Sequence, residues 1–165
     1  PGPVSECLAA AARSVMVLEL IGDGVHLADE TVRAVFDLVG GARIALVSDA
    51  MAAAGMPDGR YRLGPLDVTV HHSVARLSRD ADSETAPIAG GTATVLDLLR
   101  RAVLDAGVPL VDAVRAASST PAASIGLGSD VGCLEQGMRA DVLMVDAAFE
   151  PLQVIRGGTA IGEDS

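Results

Sequence analysis

An acidic residue stands at the end of an apolar run in the first third of the chain. The run ARIALV is followed by Ser48 and Asp49, and then by the side-chain-poor stretch AMAAAGMPDG. A buried strand that ends on a carboxylate fixes the acid in place, and small residues beside it let a ligand approach. This pattern is typical of a residue that transfers protons in catalysis. A solvated or capping aspartate at a strand end is the alternative.

A histidine follows the preceding apolar run at a comparable place. The run Val15–Ile21 leads into the segment GDGVHL, which contains Asp23 and His26. Asp23 lies between two glycines, so we expect it to hold a turn. A lone histidine is more often structural than functional. Ligand binding and an ordinary packing role are therefore the two interpretations of His26.

A glycine-rich loop precedes a predicted helix later in the chain. It consists of Ala89, Gly90, Gly91 and Thr92. Exposed N–H groups at such a position could bind an oxygen of a substrate. The same residues also fit an ordinary helix cap, and the sequence does not separate the two interpretations.

The adjacent pair His71–His72 invites a metal-binding interpretation, which we consider unfavourable. Neighbouring residues on a strand point to opposite faces, so both rings could not easily bind one ion. The alternating stretch VTVHHSVARL predicts instead that the pair lies at a hairpin tip.

The elements that must position Asp49 and His26 form a strand–helix–strand unit. A helix over residues 5–13, with Ser5 as its N-cap, precedes it. The strands are Val15–Ile21, expected to be buried on both faces, and Ala42–Val47. Between them a helix carries the apolar stripe Val32, Val35, Phe36 and Val39 and stops at Gly40–Gly41. Loops at the carboxyl ends of parallel strands are where ligands bind in α/β folds.

The rest of the chain predicts antiparallel strands, then helices, then more strands. We expect strands or a hairpin within residues 60–77, a helix capped by Thr92 or Thr94, and frayed residues at the end of the sequence. The remaining predicted elements are a helix at Leu110–Ala117, a Thr–Pro break with a further helical turn, a strand at Ala140–Val145, and a hairpin around Gly157–Gly158.

Composition excludes several classes of function. The chain has 165 residues and a net charge of −10, which disfavours nucleic acid as a partner. No apolar run reaches the roughly 18 residues that cross a bilayer, and no signal peptide is recognised, so no membrane partner is expected. Cys7 and Cys133 lie far apart and outside any CxxC pattern. We therefore expect two free thiols and a cytoplasmic location.

Five segments together resemble one family of enzymes. These are LIGDGVHL, ALVSDAMAAAGMPDGRYRLG, IAGGTATVLDLLRRAV, ASSTPAASIGL and GCLEQGMRADVLMVD. Their order and spacing are similar to those of the C-terminal part of N-acetylglucosamine-6-phosphate deacetylases, which belong to the amidohydrolase superfamily. The resemblance runs from residue 1 to about residue 160. The first two segments are specific to the deacetylases, and the last two mark amidohydrolases in general.

The resemblance implies an α/β fold that forms part of a metal-dependent (β/α)8 TIM barrel. The strands Val15–Ile21 and Ala42–Val47 would be the last two barrel strands, with inserted β structure at about 60–80 and closing helices at 92–127. Residues 1–135 would form this partial barrel, and residues 136–165 part of a small β-sandwich domain. Because two strands cannot close a barrel, we expect the chain to be one piece of the enzyme.

The resemblance also implies a metal-dependent hydrolase that removes the N-acetyl group from N-acetylglucosamine 6-phosphate. Asp49 would be both the catalytic residue and a ligand of a divalent ion, zinc or similar. His26 would bind the sugar phosphate, and the loop Ala89–Thr92 would bind substrate, including its N-acetyl group. A homodimer is implied for the full-length enzyme.

The chain lacks the further metal ligands that such an enzyme needs, so they would lie upstream and the isolated chain would be inactive. Two alternatives stay open. One is a catalytically inactive α/β remnant that serves as an interaction or oligomerisation module. The other is an amidohydrolase that acts on cyclic amides. The metal, the number of ions and the choice between glucosamine and galactosamine are not decided by the sequence.

Overall fold

A computed structural model describes residues 2–78 and 86–162, and the predicted fraying of residues 163–165 lies outside them. The helices are α1 (Pro3–Ala12), α2 (Asp29–Val39), α3 (Val95–Leu104), α4 (Leu110–Ala117) and α5 (Ser119–Ser124). The strands are β1 (Leu18–Leu20), β2 (Ile44–Leu46), β3 (Gly59–Leu63), β4 (Leu66–His71), β5 (Val74–Leu77), β6 (Val142–Val145), β7 (Pro151–Arg156) and β8 (Thr159–Ile161).

The predicted strand–helix–strand unit is present, with shorter strands than expected. β1 and β2 pair in parallel, with Leu18 opposite Ile44 and Leu20 opposite Leu46. Burial of β1 on both faces was wrong, because Glu19 is exposed and only Leu20 is buried. Val15 is 75% exposed and precedes the strand. All three residues of β2 are buried.

Helix α1 begins earlier than predicted. Gly2 is its N-cap and Pro3 is its first residue, so Ser5 lies within the helix and does not cap it. Proline favours this first position because its fixed φ suits a helix and its missing N–H would have had no partner there. The acidic Glu6 still lies in the first turn, where it complements the helix dipole.

The main core lies between the parallel strands and the helices that cover them. The predicted stripe of α2 faces this core, with Val32 and Phe36 buried. Gly40, at φ 75°, ends the helix as expected. The core contains Leu20, Val32, Phe36, Ile44, Leu46, Leu98, Ala102, Val108, Ala113 and Ala116.

Helices α3 to α5 follow the predicted order. Thr94, one of the two candidates, caps α3 in a reciprocal capping box with Asp97. Helix α4 has its predicted bounds. The break after it falls at Ser118, and Pro121 lies inside α5. The Thr120 hydroxyl donates to the Gly41 carbonyl oxygen at 2.9 Å, which attaches α5 to the turn before β2.

The segment after β2 forms the predicted antiparallel strands. The strands β3, β4 and β5 make a three-stranded meander with a small core of its own. His72 and Ser73 form the tip between β4 and β5, and both have positive φ angles, 49° and 60°. The Asp58 carboxylate accepts hydrogen bonds from both of their N–H groups, at 2.5 and 3.2 Å. The predicted hairpin tip is therefore confirmed.

The last three strands form a separate antiparallel sheet, in the order β6–β7–β8. Gly157 and Gly158 make the predicted hairpin turn, with φ angles of 59° and 82°. Strand β6 begins at Val142, two residues later than predicted, where the Asp141 carboxylate already accepts from the Gly157 N–H at 2.8 Å. Cys7 and Cys133 are free, as expected. In the described residues no helix has the length and apolar character needed to span a bilayer.

The central position of Leu98 gives a test of this core. Leu98 is fully buried, whereas Leu104 on the same helix is 48% exposed. Leu98→Ala should lower the free energy of unfolding by about 2–5 kcal/mol, since it leaves a cavity between α3 and the strands. Leu104→Ala is the matched control and should cost about 1 kcal/mol or less. Urea unfolding followed by circular dichroism measures both, and equal losses would contradict the described packing.

Candidate active site

Asp49 lies just after β2, in a backbone conformation that few residues adopt. Its φ angle is 48°, in the left-handed region, and its side chain is 54% exposed. This conformation costs a non-glycine residue on the order of 1 kcal/mol, so it must be held by its surroundings. Strain of this kind often accompanies functional sites, because the geometry that it imposes is useful there.

The loop Ala89–Thr92 holds Asp49 in this conformation. The Gly91 N–H donates to the Asp49 carbonyl oxygen at 2.6 Å, and the Met51 N–H donates to the Gly91 carbonyl oxygen at 2.9 Å. A Cβ atom at Gly91 would lie 2.1 Å from the Ser48 carbonyl oxygen, so only glycine fits there. The loop thus continues the pairing of the sheet on the side of Asp49.

This pairing corrects the expected role of two N–H groups in the loop. The Ala89 N–H donates to the Ala75 carbonyl oxygen at 2.9 Å, and the Gly91 N–H is bound to Asp49. The sequence had suggested that these N–H groups are exposed for a substrate, but both are bonded within the protein. The Thr92 hydroxyl donates to the Ser73 carbonyl oxygen, which fastens the loop to the tip of the β4–β5 hairpin.

Asp23 holds the turn before His26, as predicted, and also holds its ring. One carboxylate oxygen accepts from the Val25 and His26 N–H groups at 2.9 and 2.8 Å. The other lies 2.9 Å from His26 Nδ1. Burial alone would raise the pKa of Asp23, but the hydrogen bonds from His26 and Val25 outweigh it, and the pKa lies below its usual value. Asp23 is therefore ionised at neutral pH.

His26 and Asp49 meet at the same edge of the parallel sheet. His26 Nε2 lies 3.7 Å from Asp49 Oδ2, which is close but too long for a hydrogen bond. The His26 side chain is only 20% exposed, whereas more than half of the Asp49 side chain is exposed. The structure thus brings together the two residues that the sequence placed at separate strand ends.

A neighbouring cavity of about 480 Å³ is lined partly by residues that the sequence did not single out, such as Met56 and Arg101. Its wall includes Gly24, Met56, Thr92 and Arg101, but neither His26 nor Asp49. The cavity is therefore adjacent to the pair rather than centred on it. A Cβ atom at Gly24 would lie 2.3 Å from the guanidinium carbon of Arg101, so α3 packs directly on the turn.

Arg101 is a residue of this region that no local sequence signal indicates. Its guanidinium forms a two-pronged ion pair with Asp29, with bonds of 2.7 and 2.8 Å. The two residues are 72 positions apart in the chain. Only the packing of α3 against the start of α2 brings them together, and the pair supports the turn that carries His26.

The donor atoms present do not complete a metal site. A catalytic zinc ion usually has about three protein ligands, and His26 and Asp49 supply two at most. Within residues 2–78 and 86–162 no group of three or more suitable side chains is found. The rings of His71 and His72 lie 4.0 Å apart, so the argument that they face opposite ways was wrong. His72 adopts a turn conformation, which breaks the strand alternation.

Comparison with known proteins places these features in a family. The model of the amidohydrolase family matches residues 5–161. The chain is 36% identical over 137 residues to an N-acetylgalactosamine-6-phosphate deacetylase of Escherichia coli O157:H7, covering 83% of this chain and 34% of that protein. It is 34% identical over 132 residues to an N-acetylglucosamine-6-phosphate deacetylase of Vibrio furnissii, covering 80% of this chain and 31% of that protein.

A solved structure is similar to this chain in both fold and sequence. A mutant of the N-acetyl-D-glucosamine-6-phosphate deacetylase of Mycobacterium smegmatis, in complex with N-acetyl-D-glucosamine-6-phosphate, superposes with a TM-score of 0.85. It is 40% identical, and the match covers 97% of this chain and 40% of that one. The chain therefore spans about a third to two-fifths of the length of these relatives. On the family match and these identities, the chain belongs to the amidohydrolase family.

Proposed function

We propose that the protein containing this chain removes the acetyl group from N-acetylglucosamine 6-phosphate. The observation that carries the proposal is the approach of Asp49 and His26, 3.7 Å apart at the carboxyl edge of the parallel sheet. Ligands bind at this edge in α/β folds. The similarity to deacetylases of amino-sugar phosphates supplies the class of substrate.

Asp49 is the proposed proton-transfer residue. Amide hydrolysis needs a water molecule that attacks the acetyl carbonyl carbon, while the bond from that carbon to the sugar nitrogen breaks. The Asp49 carboxylate takes a proton from the attacking water and delivers it to the departing amine, so acetate and the free amino sugar are released. Its exposed side chain and fixed backbone suit a group that must meet a substrate.

His26 and the loop after residue 88 are the proposed substrate-binding groups. The Nε2 atom of His26 faces Asp49, so it can contact the sugar phosphate while the acetamide reaches the carboxylate. In the loop, the N–H groups of Ala89 and Gly91 are already bonded within the protein. These two residues therefore contribute shape, and Gly90 and Thr92 remain the proposed contacts to the substrate.

A divalent ion, zinc or similar, is part of the proposal that the resemblance supports. Such an ion would activate water by lowering its pKa. Asp49 remains the proposed ligand from this chain. Since the described residues do not complete a metal site, the other ligands would have to come from elsewhere in the protein.

The architecture of the whole protein is proposed on the same grounds. β1 and β2 would be neighbouring strands of a (β/α)8 barrel to which residues 1–135 contribute, with the meander β3–β5 as an insertion. Residues 136–165 would belong to a small β-sandwich domain. A homodimeric protein in the cytoplasm completes the proposal, and the separate sheet β6–β8 supports the division into two domains.

Replacement of the proposed base gives the direct test. Asp49→Asn should slow acetate release by about 10²- to 10⁴-fold, since the amide cannot accept the proton from water. Binding of the sugar phosphate, measured by calorimetry, should change little. Asp37→Asn is the matched control, because Asp37 is an exposed residue of α2 paired only with Arg33 among the described ion pairs. Unchanged turnover in Asp49→Asn would reject the assigned role.

A panel of substrates separates the proposed reaction from its alternatives. The protein at its native length should hydrolyse N-acetylglucosamine 6-phosphate with a higher kcat/KM than N-acetylgalactosamine 6-phosphate, measured by acetate release. The reverse preference would move the assignment to the galactosamine substrate. Hydrolysis of a cyclic amide alone would favour that alternative, and no hydrolysis with any of them would favour an inactive interaction module.

A further inference from the structure

We propose that Asp23 is a positioning residue that selects which ring nitrogen of His26 meets the substrate. Asp23 fixes the His26 ring through Nδ1, so that Nε2 is the nitrogen presented beside Asp49. This inference rests on the proposed function for the identity of the substrate, but the state of the ring can be tested without it. The proposed function assigns Asp23 no role toward the substrate.

Asp23 bonds to both the ring of His26 and the backbone of the turn. Its Oδ2 atom lies 2.9 Å from His26 Nδ1, and its Oδ1 atom accepts two backbone N–H groups of the same turn. The Asp23 side chain is only 5% exposed, so its oxygens depend on these protein partners. Rotation of the carboxylate away from the ring would break the bonds that hold the turn. The side chain is thus fixed by the segment that it orients.

The direction of the hydrogen bond follows from the chemistry of the two groups. An ionised carboxylate only accepts hydrogen bonds, so Nδ1 must carry the proton in the contact. A neutral imidazole has one N–H and one bare nitrogen, so in that state Nε2 carries the lone pair. The Nδ1 contact also prevents the ring from flipping, since a flip would place a carbon atom against the carboxylate.

The protonation of Nδ1 determines which group of His26 a substrate contacts at the edge of the sheet. Nε2 lies 3.7 Å from the Asp49 carboxylate, at the carboxyl edge of the parallel sheet. With its lone pair exposed, it can accept a hydrogen bond from a sugar hydroxyl group. The other tautomer would present the Nε2 N–H at this place. A sugar hydroxyl group that donates to Nε2 would then lose its acceptor.

Asp23→Asn reverses this arrangement with little change in shape. The asparagine oxygen can still accept from the two backbone N–H groups, but its amide nitrogen donates toward Nδ1. Nδ1 must then accept, and the ring proton moves to Nε2. We expect kcat/KM for N-acetylglucosamine 6-phosphate to fall about 10- to 100-fold, mainly through a higher KM. Asp37→Asn should leave both constants unchanged.

A second variant shows whether Asp23 acts through His26. In a His26→Gln background, Asp23→Asn should cause no further loss of kcat/KM, because the group that it positions is gone. A general weakening of the turn would instead add to the His26→Gln loss. Additive losses would therefore overturn the proposal.

Histidine ¹⁵N NMR on the native-length protein gives the deciding measurement without any assay of turnover. At a pH where the ring is neutral, the His26 signals should show the proton on Nδ1 in the unsubstituted protein and on Nε2 in Asp23→Asn. A proton on Nε2 in the unsubstituted protein would overturn the proposal even if Asp23→Asn did not fold. Failure of the deacetylase assignment would leave the NMR result intact, so the two failures are distinguishable.

Discussion

The register between β1 and β2 is the constraint on which the site depends. Leu20 lies opposite Leu46, and the Val47 N–H extends the pairing to the Leu20 carbonyl oxygen at 3.1 Å. Asp23 lies three residues after Leu20, and Asp49 lies three residues after Leu46. Parallel pairing therefore delivers two acidic loops to the same edge of the sheet. A shift by one residue would displace Asp49 by about 3.3 Å along the sheet relative to Asp23.

The side chains of the candidate site lie on loops, and the core determines where these loops begin. Asp23 holds the His26 ring by a hydrogen bond within a short turn, while Gly91 holds the left-handed backbone of Asp49. Arg101 supports the first of these loops through Asp29. Each loop thus has a backbone bond and a packing partner of its own. Rigid loops of this kind let a site keep its geometry without any regular element passing through it.

Local signals were sufficient for most elements and for the residues at the strand ends. Apolar periodicity gave α2, and turn residues gave the hairpin at Gly157–Gly158. The exposure of Val15 was not predictable, because an apolar run does not show which neighbours will cover it. The pairing of Gly91 with Asp49 and the role of Arg101 depend on contacts between distant segments, for which the sequence carries no periodic pattern.

The hydrogen bond between Gly91 and Asp49 also bears on the order of folding. The partners are separated by 42 positions, and the whole β3–β5 meander lies between them. A contact between positions so far apart has a larger entropic cost of loop closure than the local contacts of a helix or a hairpin. We therefore expect the strained conformation of Asp49 to form only after the meander has brought the glycine loop back to the sheet. A nascent chain that has formed β1, α2 and β2 contains Asp49 but lacks the hydrogen bond that holds its backbone conformation.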